Sequence, residues 1–200
     1  MIREPSPPTD IDAQGAIAPS HVAFIDVEAS GLGPQSWPIE VGWVFSTGDA
    51  RSVLIRPADN WSMTAWEKSA EALHGITPPT LVTSGREPLD VALILNAALG
   101  GAVVYSDAPD YDSFWLFRLY DAAGVKPNYR LNDLGDLLRP LWDRQPRELV
   151  DLASEEAPHT HRAAADVLHL QTMYRLARAR AAERLEDTAQ SATPQSNTSP

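Results

Sequence analysis

An apolar run that carries two acids, His21 to Glu28, constrains the fold of this chain more than any other stretch. Its sequence, HVAFIDVE, is short and rich in β-branched and aromatic residues, which is typical of a buried central strand. Because side chains alternate across a strand, Asp26 and Glu28 project from one face and Ile25 and Val27 from the other. Two neighbouring acids on an apolar strand are costly unless a cation neutralises them. The run therefore predicts either a carboxylate metal site or a strand end that has reached solvent.

The elements predicted after this strand describe a layered α/β architecture. Two more strands, at 39–45 and 51–56, are joined by a hairpin turn, and helices and strands then alternate. The predicted helices are 64–73, 89–99, 111–123, 133–143, 147–155 and 162–183, and the remaining strands are 102–105 and 129–131. A three-strand meander followed by alternating helices and strands indicates a mixed sheet covered by helices.

The two ends of the chain lack this patterning. Residues 1–20 and 184–200 are polar and aperiodic, so we predict a disordered leader and a disordered tail around one domain at 21–183. The chain has no cysteine, which excludes disulfides and thiolate chemistry and favours a reducing cytoplasm. Apolar runs such as 91–99 are shorter than the ~20 residues that cross a bilayer, so no membrane attachment is expected.

Three acidic motifs follow one another along the chain. They are Asp26-Val-Glu-Ala-Ser-Gly-Leu32, Tyr111-Asp112-Ser-Phe-Trp-Leu116 and His161-Arg-Ala-Ala-Ala-Asp166. Five positions along a helix turn through about 500°, so His161 and Asp166 would not share a face of one continuous helix. The spacing predicts that His161 lies on the loop or first turn, with Asp166 one turn inside the helix.

In this order the motifs resemble those of the DEDDh 3′→5′ exonucleases, the family that includes ribonuclease T and the proofreading subunit of bacterial DNA polymerase. The resemblance implies a ribonuclease H-like fold, with helices on both faces of a mixed five-stranded sheet, and an exonuclease domain at 21–183. It implies two Mg²⁺ or Mn²⁺ ions and His161 as general base. The implied metal ligands are Asp26, Glu28, Asp112 and Asp166. The turn of the first motif would contact the terminal nucleotide through Ala29, Ser30 and Leu32.

Some positions depart from the family pattern or extend it. The family commonly has His-Asn ahead of the second-motif acid, whereas this chain has Asp107-Ala108, so Asp107 is a rival to Asp112 as metal ligand. Trp37, in the turn after the first motif, is predicted to stack on a base. Glu40 is predicted to support the structure around the site rather than to bind metal.

The predicted activity is stepwise hydrolysis from the 3′ end of nucleic acid, which releases nucleoside 5′-monophosphates. Histidine is neutral near pH 7 and can accept the proton of the attacking water. The net charge of −11 argues against a long electrostatic footprint on duplex DNA and favours single-stranded or short substrates. The open alternative is a catalytically inactive domain of the same fold that binds nucleic acid or protein. Members of the family often form homodimers, so the resemblance also allows a homodimer.

Overall fold

A computed structural model describes residues 21–191, which form a five-stranded mixed sheet between two layers of helices. The strands are β1 Val22–Ala29, β2 Pro38–Phe45, β3 Arg51–Leu54, β4 Val103–Ser106 and β5 Leu131–Asp133. Their order in the sheet is β3-β2-β1-β4-β5, with β2 antiparallel to both its neighbours and β4 parallel to both of its own. The predicted fold class is confirmed.

The central strand separates two apolar cores. The helices are α1 Lys68–His74, α2 Pro78–Ser84, α3 Pro88–Leu99, α4 Pro109–Ala123, α5 Leu134–Leu138, α6 Pro146–Glu156 and α7 Ala163–Ser191. On one face of β1, Ala23, Ile25 and Val27 join a core that includes buried residues of α3 and α4. On the other face, Val22 and Phe24 join a core formed with α6 and α7. Helices α4 and α7 therefore cover opposite faces of the same strand.

Two differences from the predicted helices have local causes. The helix predicted at 64–73 begins only at Lys68, because Ser62 accepts a hydrogen bond from the Thr64 amide and caps a separate 3₁₀ turn. Helix α2 was not predicted, although Thr77 accepts a hydrogen bond from the Thr80 amide and Pro78 stands at the first helical position. Both are ordinary signals of a helix start.

Other boundaries also shift. Strand β5 begins at Leu131 rather than at 129, and the helix predicted at 133–143 ends at Leu138. Helix α7 continues through Ser191, so the predicted domain boundary at 183 falls inside this helix. The predicted leader at 1–20 and residues 192–200 lie outside the described residues. Between 21 and 191, no helix combines the length and the apolarity needed to cross a membrane.

Gly42 allows the start of α7 to approach β2. A Cβ atom at this position would lie 2.4 Å from the carbonyl oxygen of Ala163, well inside van der Waals contact. Gly42 also stands opposite Asp26 in the β1–β2 register, so the close approach brings the first turn of α7 towards the acids of β1.

We expect Gly42→Ala to lower the free energy of unfolding by about 1–3 kcal/mol, because the added methyl must push α7 away from the sheet. Urea-induced unfolding measures this change. The matched control is Asp49→Ala, in the exposed loop after β2, which should change stability by less than about 0.5 kcal/mol. A Gly42→Ala variant as stable as the parent protein would contradict the steric role of this glycine.

Candidate active site

The acids of β1 lie near the first turns of α4 and α7, which carry Asp112 and Asp166. Asp26 Oδ2 is buried, and none of the described residues donates a hydrogen bond to it. The pKa of Asp26 lies well above its ordinary value, first because the group is buried and then because Asp112, Glu28, Asp166 and Asp107 repel its charge. A divalent cation would stabilise such a buried carboxylate oxygen, which has four more acids around it.

The second motif brings two acids to Asp26 rather than one. Asp112 lies in the first turn of α4 and is 2% exposed; its carboxylate accepts hydrogen bonds from the Ser106 hydroxyl and from the Val27 amide. Burial raises the pKa of Asp112 to about 7. Oxygen atoms of Asp26, Asp107 and Asp112 lie within 4.8 Å of one another. The structure therefore places both rivals, Asp107 and Asp112, within reach of one cation.

A second cluster forms on the other side of Asp26. Oxygen atoms of Asp26, Glu28 and Asp166 also lie within 4.8 Å of one another. Burial raises the pKa of Glu28 to about 8, and the charges of Asp166 and Glu40 and a hydrogen bond to Asp166 add to this effect. Asp26 belongs to both clusters.

The third motif has the arrangement that its spacing predicts. His161 lies on the loop before α7, and Asp166 lies in the first turn of that helix. Asp166 is 1% exposed and accepts hydrogen bonds from the Thr160 amide at 2.7 Å and the Arg162 amide at 3.1 Å. His161 has a φ of 56°, in the left-handed region that a non-glycine residue occupies at a cost of roughly 1–2 kcal/mol.

An ion pair between buried Glu40 and half-exposed Arg162 fixes the loop that carries His161. Glu40, on β2, is 2% exposed and faces Glu28 in the strand register. Its carboxylate accepts two hydrogen bonds from the Arg162 guanidinium, at 2.9 and 3.1 Å, and one from the Ser52 hydroxyl. Such a two-point contact fixes both the position and the orientation of the Arg162 guanidinium. Glu40 therefore supports the site, as predicted, and Arg162 is a supporting residue that the sequence did not identify.

The turn after the first motif agrees with the prediction only in part. Leu32 is 67% exposed at the mouth of the site, whereas Ala29 is buried. Ser30 is fully buried, and its hydroxyl accepts from the Trp37 amide and donates to the Ala65 carbonyl oxygen. The Ser30 amide also donates to the Trp37 carbonyl oxygen, and the Ser30 carbonyl oxygen accepts from the Glu67 amide, so both the side chain and the backbone of Ser30 hold the turn together.

The prediction that Trp37 stacks on a base is wrong. Trp37 has no exposed surface; its ring stacks on Trp61 at 5.5 Å, and its indole N–H donates to the Ser62 carbonyl oxygen. Trp43 and Trp115 also lie in the core, since each is 6% exposed.

Glu67 contributes to the site without any sequence signal. Its carboxylate accepts hydrogen bonds at 3.1 Å from the amides of Leu32 and Gly33, and a Cβ at Gly31 would overlap its side chain. Glu67 thereby holds the first-motif turn from 34 and 35 residues away in the chain. No periodicity or local motif predicts such a contact.

The acids line a cavity of about 440 Å³. Part of its lining is apolar and is formed by Leu32, Ala70, Leu73 and Tyr111. A cavity of similar size, about 460 Å³, lies beside Phe117 on α4, and its lining contains a single carboxylate, Asp121. Only the first of these two cavities combines clustered acids with an apolar surface.

The donor set fits hard divalent cations. Asp26, Glu28, Asp107, Asp112 and Asp166 offer carboxylate oxygens in two groups that share Asp26. Carboxylates are the protein ligands that Mg²⁺ and Mn²⁺ prefer. The orphaned oxygen of Asp26 and the raised pKa values of Glu28 and Asp112 show that these acids are incompletely compensated by the protein itself.

The raised pKa values predict how stability depends on pH. Glu28 and Asp112 bind protons in the folded state up to pH values of about 8 and about 7, whereas in the unfolded chain they release them near their ordinary pKa values of 4.5 and 3.8. Their contribution to stability is therefore complete below pH 4 and is lost as the pH rises through 7 and 8. In EDTA, we expect the free energy of unfolding to fall by on the order of 3 kcal/mol between pH 6 and pH 8.

Urea titrations at the two pH values measure this fall. Glu28→Gln should reduce it, because glutamine does not titrate, whereas Asp110→Asn, at an exposed acid outside both clusters, should not. Equal pH dependence in Glu28→Gln and the parent protein would show that Glu28 does not titrate as described.

The sheet order and the two helical layers define a ribonuclease H-like fold, with a group of acids at the end of its central strand. Among solved structures, the chain is similar to exonuclease I of E. coli, with a TM-score of 0.66 and 18% identity over 85% of this chain and 43% of that one. In its complex with a dT13 oligonucleotide, the same enzyme gives a TM-score of 0.63 at 18% identity, over 84% of this chain and 42% of that one. Exonuclease I of Methylocaldum szegediense gives 0.59 at 19% identity, over 80% and 40%.

These neighbours belong to the DEDDh exonucleases, the family that the motifs resemble. Similarity at this level of identity establishes the fold, and the chain spans about two fifths of the length of these exonucleases. No protein-family model matches the chain, and no curated protein matches it either.

Proposed function

We propose that this protein is a 3′→5′ exonuclease that hydrolyses the terminal phosphodiester of single-stranded or short nucleic acid and releases nucleoside 5′-monophosphates. The observation that carries the proposal is the position of Asp26, whose carboxylate belongs to two acid clusters at once. This arrangement suits two cations that share one ligand, as two-ion phosphodiester hydrolysis requires. The metal dependence follows from the same acids.

The chain offers a distinct set of ligands to each of two Mg²⁺ or Mn²⁺ ions. Asp26, Asp107 and Asp112 form one set, and Asp26, Glu28 and Asp166 form the other. When bound, such ions would neutralise charge on the phosphate and make a water molecule a better nucleophile. Ser106 and the Val27 amide orient Asp112, and the Thr160 and Arg162 amides orient Asp166.

His161 is the proposed general base. It lines the cavity that contains Asp26, Glu28 and Asp112, and its loop is anchored by the Glu40–Arg162 ion pair. A neutral imidazole at this position accepts the proton of the attacking water. Glu40 and Arg162 act through the loop, as positioning residues.

The cavity favours a substrate whose 3′ end is small and unpaired. The apolar part of its lining, with Leu32 exposed at the mouth, can contact a terminal base, and Ala29 lines the same cavity. The net charge of −11 disfavours a long duplex footprint. Exonuclease I of E. coli, a structural neighbour, has been solved with single-stranded dT13. These features together favour single-stranded ends over long duplexes.

Incubation of the purified protein with 3′- and 5′-labelled RNA and DNA oligomers of graded length tests the proposal. We expect nucleoside monophosphates to appear first from the 3′ end, with Mg²⁺ or Mn²⁺ and not with EDTA. The Asp26→Asn variant, prepared in parallel, controls for contaminating nucleases. Binding of oligomers without cleavage under all metal conditions would instead support an inactive nucleic-acid-binding domain.

Two further expectations belong to this proposal. The absence of cysteine from the sequence fits a reducing compartment such as the cytoplasm, and fractionation of cells that express the tagged protein tests it.

A homodimer is the assembly that the family resemblance suggests. Light scattering coupled to gel filtration distinguishes it from a monomer of 21.8 kDa.

A further inference from the structure

A third group of potential ligands lies beside the two acid clusters and differs from them in chemistry. Ring nitrogens of His159 and His161 and an oxygen of Asp166 lie within 4.8 Å of one another. His159 Nε2 is 3.5 Å from Asp166 Oδ2, and the two imidazole rings are 5.0 Å apart at 81°. An ion pair between His159 and Asp166 would explain one of these contacts. The edge-to-face packing of the two rings holds a second imidazole close to the same carboxylate.

The loop that carries the two histidines is fixed at both ends. At its start, the His169 ring, 4% exposed, makes a 2.9 Å hydrogen bond through Nδ1 to the Ala157 carbonyl oxygen. At its end, Arg162 is held by Glu40. Asp166 is itself buried and oriented by two backbone amides. The backbone that carries the two histidines is therefore anchored, and the carboxylate of the group is oriented, as in the outer-shell support of metal ligands.

The donor types select a different class of cation from that of the acid clusters. Two imidazoles and one carboxylate, with an open fourth position, are a ligand set of Zn²⁺ sites, whereas Mg²⁺ prefers oxygen donors. In such sites the Zn–N distances are about 2.0 Å. Imidazole nitrogen also binds Zn²⁺ far more strongly than it binds Mg²⁺ or Mn²⁺.

We propose that His159, His161 and Asp166 form a binding site for Zn²⁺ or a similar transition-metal ion that inhibits the enzyme. A cation on the His161 nitrogen removes the lone pair that would accept the proton of the water, and it competes for Asp166. The inhibitory part rests on the proposed function of His161. The binding part does not, because it concerns only the three side chains and their spacing.

Binding is tested first, without any substrate. Co²⁺ serves as the probe because it acquires strong visible absorption when nitrogen ligands bind it in tetrahedral geometry. Without added Mg²⁺, which would compete for Asp166, we expect this absorption to saturate at one Co²⁺ ion per chain and Zn²⁺ to displace it. His159→Asn and His161→Asn should each weaken Co²⁺ binding at least about tenfold. Asp107→Asn, which changes an acid of the other cluster, should leave it unchanged.

Inhibition is tested second, with each variant compared with its own rate in zinc-free Mg²⁺. We expect the Zn²⁺ concentration that halves the rate to rise at least about tenfold in His159→Asn, but not in Asp107→Asn.

Co²⁺ binding that is insensitive to both histidines would overturn the site, whether or not the protein is a nuclease. Co²⁺ binding through the histidines with unaltered zinc inhibition in His159→Asn would overturn the inhibitory role. A protein without nuclease activity that still shows the absorption would refute the proposed function and leave the site standing.

Discussion

Asp26→Asn should abolish metal-dependent hydrolysis and, at the same time, stabilise the metal-free protein. The rate should fall by about 1000-fold or more, equivalent to ~4 kcal/mol of lost transition-state stabilisation, because both acid clusters lose their shared ligand. The free energy of unfolding in EDTA at pH 8 should rise, because the change removes a buried carboxylate that lies among four others. One oxygen of this carboxylate accepts no hydrogen bond from residues 21–191. A rate assay with a labelled oligomer and a thermal melt measure the two effects.

The opposite directions of these effects make the experiment specific. A variant that is merely misfolded would lose activity and stability together. Mg²⁺ should raise the melting temperature of the parent protein at pH 8, and this increase should be much smaller in Asp26→Asn. Asp110→Asn, in the first turn of α4 but outside the clusters, is the matched control and should retain both the activity and the Mg²⁺ effect. Unchanged turnover in Asp26→Asn would remove the basis of the two-cation arrangement.

His161→Asn should lower the rate of hydrolysis by about 100- to 10,000-fold, the usual contribution of a general base, while the stabilising effect of Mg²⁺ remains. Asparagine is the appropriate replacement because His161 has a φ of 56°, and asparagine tolerates the left-handed region better than alanine does. The variant therefore removes the imidazole without adding backbone strain. Rates measured at saturating substrate and saturating Mg²⁺ isolate the chemical step.

His159→Asn provides the comparison within the same loop. Its ring is 5.0 Å from that of His161, so a general disturbance of the loop would affect both variants similarly. We expect the rate loss at 161 to exceed that at 159 by at least about tenfold. The reverse order would assign the proton transfer to His159, and equal activity of His161→Asn and the parent protein would exclude His161 as the base.

The parts of the fold that the sequence predicts are those governed by local rules. The strand that carries Asp26 and Glu28 is visible because its apolar residues are contiguous and its acids alternate. The position of His161 ahead of the helix follows from the pitch of a helix and the five-residue spacing to Asp166. The N-terminal signals of α2, Thr77 and Pro78, are equally local, so the sequence contains enough information to predict this helix too.

The parts that could not be predicted depend on contacts distant in the chain. Trp37 lies in a turn typical of the protein surface, but Trp61 and the Ser62 carbonyl oxygen enclose it from another loop. Glu67 holds a turn more than 30 residues away, and Glu40 pairs with Arg162 across 122 residues. The choice between Asp107 and Asp112 was likewise not resolvable from spacing, because the end of β4 and the start of α4 converge on Asp26 together.

The location of Asp26 between two cores has a mechanical consequence. Asp112 extends from a helix on one face of the sheet and Asp166 from a helix on the other, so cations bound through Asp26 would tether the two layers to the middle strand. Partial opening of either layer would then require the same metal–oxygen bonds to break. Amide hydrogens in the first turns of α4 and α7 should consequently exchange with deuterated solvent more slowly in Mg²⁺, and to a similar extent in both helices.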